Sequence, residues 1–336
     1  MTVKFLKALL LTLVAFPVGA CTSALIGGGM TRSGRPILWK HRDSGFEQNF
    51  IEKIEATDST AAYVALFNGG DSLLLEAWCG VNDRGFAVMN TASYNLAPDT
   101  ARLRDREGVI MTAALRRCRT VGDFGRLLDS LQRPLGVQAN FGVLDSTGAG
   151  AYFETSDTGY VRFDLPADSV LIRTNFSVAG CCGEGLGLAR YDAAKHLFGP
   201  HIADRSFSPK LLTDTMSRSF YDTGRGVDLL SETSMAEVID RGDFIPRRST
   251  SASIAIEPGA EPVMWVILGY PPLSEARAVT LTHVPADMRP TLAGARSPLS
   301  DRNVRLRNRL FSRRKGQWVL NLSKLRNLNN QSISKP

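Results

Sequence analysis

Apolar and polar positions alternate with a period near two through much of the first third of the chain, as they do in half-buried strands. The runs 22–26, 37–40, 51–54, 63–67, 72–78 and 86–89 fit that template. Turn residues separate them, among them Asn68-Gly69-Gly70-Asp71 and Asn82-Asp83-Arg84-Gly85. Helical spacing takes over at 109–117 and 121–131, and strands return at 137–144, 151–154 and 170–173. Helices are then expected at 186–198, 209–217 and 227–239, and closing strands at 252–257, 263–268 and 278–283. Strands and helices arriving in blocks, with antiparallel turn signals, predict an α+β layered fold and not an alternating βαβ one.

The first twenty residues follow another pattern. Lys4 and Lys7 precede an apolar run from Ala8 to Phe16, then Pro17 and the small-residue end Val18-Gly19-Ala20. This reads as a cleaved export signal over 1–20, since the run is well short of the roughly 20 residues that span a bilayer. The expected location is therefore the periplasm or the cell exterior. What remains is long enough for one domain, 21–300, and a basic tail, 301–336.

Charge narrows the partners. The formal net charge is +7, yet ten Lys or Arg against one Asp from Asp301 onward leave residues 1–300 at −2. Nucleic-acid binding by the body is thus not indicated. The tail reads first as a solvated extension, with an anionic membrane surface as its candidate partner; Trp318, Val319, Leu320 and Leu322 suggest that part of it docks. Of the five cysteines, Cys79, Cys118, Cys181 and Cys182 could be bridged in an oxidising compartment. The four histidines and the Cys181-Cys182 pair lack metal-ligand spacing, and Gly27-Gly28-Gly29 lacks the Lys-Ser/Thr of a phosphate loop, so no metal or cofactor is expected. Nothing local supports a cysteine enzyme built on Cys79 and His283.

Cleavage after Ala20 would make Cys21 the first residue, joining a thiol nucleophile and an α-amino base on one position. Residues 21–43 read as two strands around the turn 31–35. An antiparallel pair keeps the sum of opposed residue numbers constant, and a turn centred near Arg32 or Ser33 makes that sum about 64 to 66. Cys21 then faces 43–45, with Asp43 able to orient the amine and Arg42 able to favour the thiolate.

Several blocks resemble a known group. The opening Cys21-Thr22-Ser23, the segment 34–43 (GRPILWKHRD) and the segment 80–90 (GVNDRGFAVMN) are similar to N-terminal-nucleophile amidases of the choloylglycine hydrolase and penicillin V acylase group, and to the related acyl-coenzyme A:6-aminopenicillanic acid acyltransferases. Residues 171–176 (LIRTNF) and the hairpin within 249–270 add to the likeness. The resemblance implies a four-layer αββα sandwich with antiparallel sheets, a small-molecule amide substrate, and hydrolysis or acyl transfer at a linear carbon–nitrogen bond through an acyl-enzyme, with a homo-oligomer as a further expectation. It implies Cys21 as nucleophile, Asp43 as amine orienter, Asn90 and Asn175 as oxyanion donors, and a late arginine at Arg247 or Arg248, of which Arg248 is taken. Two departures stand out. Bile-salt hydrolases carry an arginine three residues before the aspartate, where this chain has Lys40, and an arginine lies directly before Asp43 as Arg42. The loop before Asn90 is also shorter and of different composition. Bile-salt specificity is accordingly not expected. The rival use of Cys21 is lipidation, since Val18-Gly19-Ala20-Cys21 also fits a lipobox; the protein would then be a surface-anchored binding or structural protein. The strand-like run directly after Cys21 favours a cysteine built into the fold.

Overall fold

The computed structural model describes residues 20–96, 106–181, 183–231, 234–291 and 295–333. The expected signal before Ala20 and the expected bridge partner Cys182 lie outside the described residues. Strands β1 (Thr22–Ile26), β2 (Ile37–Asp43), β3 (Asn49–Ile54), β4 (Tyr63–Asn68), β5 (Ala77–Asn82) and β6 (Ala87–Ala92) come first, followed by helices α1 (Glu107–Arg117) and α2 (Val121–Ser130). Then come β7 (Ala139–Leu144), β8 (Gly150–Thr155), β9 (Tyr160–Asp164), β10 (Val170–Arg173) and helix α3 (Leu188–Ala203). The last third holds short strands β11 (Tyr221–Asp222), β12 (Val227–Asp228) and β13 (Val238–Ile239), then β14 (Thr250–Glu257), β15 (Val263–Leu268) and β16 (Arg277–Val279). Helix α4 (Pro298–Asn308), hairpin β17 (Phe311–Arg314) and β18 (Gln317–Asn321), and helix α5 (Leu322–Ile333) close the chain.

Two antiparallel sheets carry the body. One runs β10-β1-β2-β14-β15-β16 and the other β3 to β9 in chain order. The period of two explains the layering: each strand sends alternate side chains to opposite faces. Leu25, Leu38, Ile254 and Ile256 from the first sheet meet Ile51, Val64, Leu66 and Met89 from the second in one buried core. The opposite face of the second sheet, with Phe67, Val88, Phe141 and Phe153, is covered by Met111 and Leu115 of α1 and Phe124 of α2. The opposite face of the first sheet, with Ala24, Ile26, Trp39 and Ala255, is covered by Ala194 and Phe198 of α3 and by Leu212 and Met216. The order helix, sheet, sheet, helix is the αββα sandwich.

Several expected elements differ, each for a tertiary reason. The run 72–78 is a turn before a strand, because the Asp71 carboxylate accepts from Leu75 N and Glu76 N and holds the chain back until β5. The expected helix at 227–239 does not form. Asp228 instead takes Ser219 Oγ and Phe220 N, β11 pairs with β12, and β13 pairs with β18. The closing strand expected at 278–283 is the shorter β16, and α4 and β9 had no sequence reading. All four described cysteines, Cys21, Cys79, Cys118 and Cys181, are free.

The basic tail folds. Its Leu310, Leu320, Leu322 and Leu325 join Phe220, Ile239, Phe244 and Tyr270 in a fourth cluster, and Trp318 carries the Arg248 guanidinium over its ring at 4.1 Å. Leu320, 2% exposed, is the measure of this docking. Leu320→Ala is expected to lower the unfolding free energy by about 2–5 kcal/mol, as for other buried leucines; a urea midpoint indistinguishable from wild type would mean the tail contributes nothing to the fold.

Candidate active site

Cys21 immediately precedes β1, which runs between β10 and β2. The β1–β2 register pairs Thr22 with His41 and Ile26 with Ile37, a sum of 63, so the turn is centred one residue earlier than the sequence suggests. The cause is the connection itself. Thr31 Oγ1 donates to the carbonyls of Gly28 and Arg35 and draws the bend toward position 31.

Alternation along β2 then divides the polar residues. Lys40 and Arg42 turn inward between the sheets, on the side of Leu38, whereas His41 and Asp43 turn outward, on the side of Trp39. Cys21 continues the inward series of β1, after Leu25 and Ser23, whose hydroxyl meets Tyr152 of the second sheet at 2.9 Å. The thiol is buried, with Sγ 3.8 Å from the carbonyl oxygen of Asp43. A cleft of about 300 Å³ opens beside it, lined by Cys21, Lys40, Arg42, Asp43, Trp78 and Asn90, with Phe46 and Tyr94 partly exposed at its mouth.

The outward side holds a carboxylate fixed on both oxygens. Asp43 Oδ2 accepts from Arg247 Nε at 2.9 Å and Oδ1 from Thr250 Oγ1 at 2.5 Å. Thr250 Oγ1 in turn accepts from Arg247 N at 2.8 Å. A bulge in β14 makes this possible. Asp43 pairs with Thr250 but Arg42 with Ala252, so the extra residue Ser251 breaks the alternation and turns inward to take Arg42 Nη1 at 3.0 Å. Arg247 also reaches back, with Nη2 3.4 Å from the carbonyl oxygen of Ala20. The Asp43 carboxylate is therefore one guanidinium away from the bond that joins Ala20 to Cys21.

The inward face of β2 holds two buried cations. Arg42 donates to Asn49 Oδ1 at 2.9 Å and Asn68 Oδ1 at 2.7 Å, and its guanidinium lies over Trp78 at 5.2 Å. Burial draws Arg42 down to about 10, opposed by the attraction of Cys21 and Asp43. Lys40 donates to Trp78 O and Asn90 Oδ1, both at 2.7 Å. Burial draws its ammonium down to about 8, opposed chiefly by Cys21.

Of the expected residues, Cys21, Asp43, Arg42 and Asn90 share the cleft. Asn175 is not among the residues lining it; its Nδ2 donates to Ala92 O at 2.9 Å and its Oδ1 accepts from Arg190 at 2.7 Å. Arg248 lies elsewhere, pairing with Glu47 at 3.2 Å and stacking on Trp318, while Arg247 occupies the place beside Asp43. Successive residues leaving the loop point apart, so only one of the two arginines can reach the carboxylate. Arg190 joins the site without having been expected there. It sits in the first turn of α3 and donates to Cys21 O at 2.6 Å and Thr22 Oγ1 at 3.0 Å, so it grips the backbone at Cys21. Gly187, with φ of +84°, makes room for it, since a Cβ there would lie 2.4 Å from Arg190 Nη2. The only sequence signal was an arginine on the apolar face of a helix.

His41 reports on the outward side. Burial draws its imidazole down to about 4, against the pull of Asp43 and with repulsion from Arg190 and Arg247. An unfolded histidine takes its proton near 6.5, so between pH 6.5 and 4 the unfolded chain binds a proton that the folded chain refuses. Its contribution is fully present above pH 6.5 and is lost as pH falls, by on the order of 3 kcal/mol in all. Unfolding midpoints at pH 7, 5 and 4 should fall less steeply in His41→Gln than in wild type; parallel slopes would refute this role.

No family model and no curated protein matches the sequence. Among solved structures, the chain is similar to an N-acylethanolamine-hydrolyzing acid amidase ortholog of Caenorhabditis elegans, at 15% identity over 71% of this chain and 93% of that one, with a TM-score of 0.45. It is similar to a variant of the conjugated bile acid hydrolase of Clostridium perfringens, at 10% identity over 78% and 93%, with a TM-score of 0.45. It is also similar to the penicillin V acylase of Agrobacterium tumefaciens, at 13% identity over 79% and 87%, with a TM-score of 0.42.

Proposed function

We propose that the mature chain begins at Cys21 and hydrolyses, or transfers the acyl group of, a linear amide in the manner of the N-terminal-nucleophile amidases. One observation carries the reading: the cysteine that follows the export-signal pattern is also the buried residue at the strand end beside Asp43, Asn90 and two cations. Export and signal cleavage are part of the proposal, for cleavage is what frees the α-amino group.

With that amine free, Asp43, itself held by Arg247 and Thr250, orients it as a base near neutral pH. The amine takes the thiol proton and sulfur attacks the amide carbonyl. The oxygen gains negative charge, and the Asn90 amide donates to it. Collapse breaks the carbon–nitrogen bond; the leaving amine takes the proton back from the α-amino group and the acyl group remains on Cys21. Water, or a second amine, then attacks the thioester and regenerates the thiol. Arg190 keeps the Cys21 carbonyl in place throughout.

The lipoprotein alternative meets a physical obstacle. Thr22–Ile26 is an interior strand with no exposed residue, so no tether separates Cys21 from the folded body. The intact mass of the exported protein separates the two: an unmodified chain starting at Cys21 supports the amidase, and a diacylglyceryl adduct rules it out.

Turnover is to be assayed with N-acyl amino acids, penicillin V and conjugated bile salts. Cys21→Ala is expected to abolish hydrolysis with a wild-type unfolding midpoint, and Asp43→Asn to lower kcat by roughly 10²-fold or more. Undiminished turnover in the alanine variant would sink the mechanism.

A further inference from the structure

Lys40 is a lysine with almost no exposed surface, placed between two sheets where an uncompensated charge is costly. What holds it there is specific. Its ammonium is 2.7 Å from Trp78 O on β5 and 2.7 Å from the Asn90 side chain on β6. An ammonium has donors only, so the Asn90 atom facing it is the amide oxygen and the amide nitrogen is turned to the other side. Asn90 lines the cleft that Cys21 also lines.

We propose that Lys40 is a positioning residue for the reaction described above: by gripping Asn90 Oδ1 it aims the Asn90 N–H at the oxygen of the tetrahedral intermediate, and it does so only while it is protonated. The inference rests on the amidase reading and adds to it a device that sets the alkaline limit of the enzyme. A charged donor on Oδ1 polarises the whole amide, which makes its N–H a stronger donor. A neutral amine would hold the oxygen more weakly and release the rotamer.

The surroundings of Lys40 set the pH at which this happens. Burial favours the neutral amine, and Arg42 on the same inward face adds repulsion. Cys21, Cys79 on β5 and Glu107 on α1 act the other way and hold the proton on. The balance puts loss of the proton near pH 8. The α-amino base must be deprotonated and Lys40 protonated, so kcat should rise and then fall on the alkaline side with a midpoint near 8.

The test uses the mature chain beginning at Cys21, with Lys40→Met, Lys40→Arg, Asn90→Ala and the Lys40→Met/Asn90→Ala double variant. Lys40→Met keeps the stem and removes the charge. It is expected to lose roughly ten- to a hundredfold in kcat with KM within about threefold, toward the loss typical of removing one oxyanion donor. Lys40→Arg should retain more activity and move the alkaline limb to higher pH, since arginine keeps its charge. The double variant should be no slower than Asn90→Ala, because both changes disable one device. An activity-independent arm follows the side-chain amide ¹⁵N signal lost in Asn90→Ala: it should shift with a midpoint near pH 8 in wild type and show no such step in Lys40→Met or Lys40→Arg. A wild-type signal that does not titrate, a Lys40→Met kcat within threefold of wild type, or additive losses in the double variant would each overturn the proposal. If wild type hydrolyses none of the amides, the amidase reading fails and the ¹⁵N titration alone decides whether Lys40 governs Asn90.

Discussion

Everything at the site depends on the placement of β2 between β1 and β14. That strand carries Lys40, His41, Arg42 and Asp43 in succession, and its two partners fix which face each one takes. Pairing with β1 brings Cys21 beside them, and pairing with β14 through a one-residue bulge brings Ser251 to Arg42 and Thr250 to Asp43. A shift of one residue in either pairing would exchange the faces, sending the cations toward the helices and the carboxylate between the sheets. The large apolar neighbours forbid that shift: Leu38 and Trp39 are both fully buried, on opposite faces, and neither could trade places without opening a core.

The arrangement holds an unusual amount of charge out of water. Lys40, Arg42, Asp43 and Arg190 are all nearly inaccessible, and each is met by named partners at hydrogen-bond distance. Such groups are expensive to bury and stabilise little on net, so their presence in one cluster is better explained by chemistry than by folding. Asn49, Asn68, Asn90 and Asn175 are the other half of the cluster. Each turns its side-chain oxygen to a buried cation and so takes the place of water around the charge.

The tail illustrates how composition misleads about position. Its arginines suggest a solvated strip, yet the apolar residues among them close a cluster over Tyr270 and Phe244, and Arg307 is buried with Nη1 on the carbonyl of Arg248 and Nη2 on Glu47. Trp318 of the same segment stacks on the Arg248 guanidinium, so a segment expected as an appendage packs against the neighbour of the arginine that meets Asp43.

Local information in the sequence determined the alternating strands, the helices α1, α2 and α3, and the meeting of Cys21 with the end of β2, because period-two patterning and antiparallel arithmetic act over short separations. The run 227–239 failed under the same logic, since helical spacing there is overruled by Asp228 and by pairing with β18 far along the chain. The expectation of Asn90 and Asn175 as oxyanion donors came only through resemblance, and of the two only Asn90 lines the cleft; the place of Arg190 was not legible. Its contacts with Cys21 and Asn175 join residues that the sequence separates widely, and no pattern within a helix encodes what lies beneath its apolar face. The grip of Lys40 on Asn90 is of the same kind: it exists because two sheets, each predictable strand by strand, pack face to face at a distance that one lysine side chain spans.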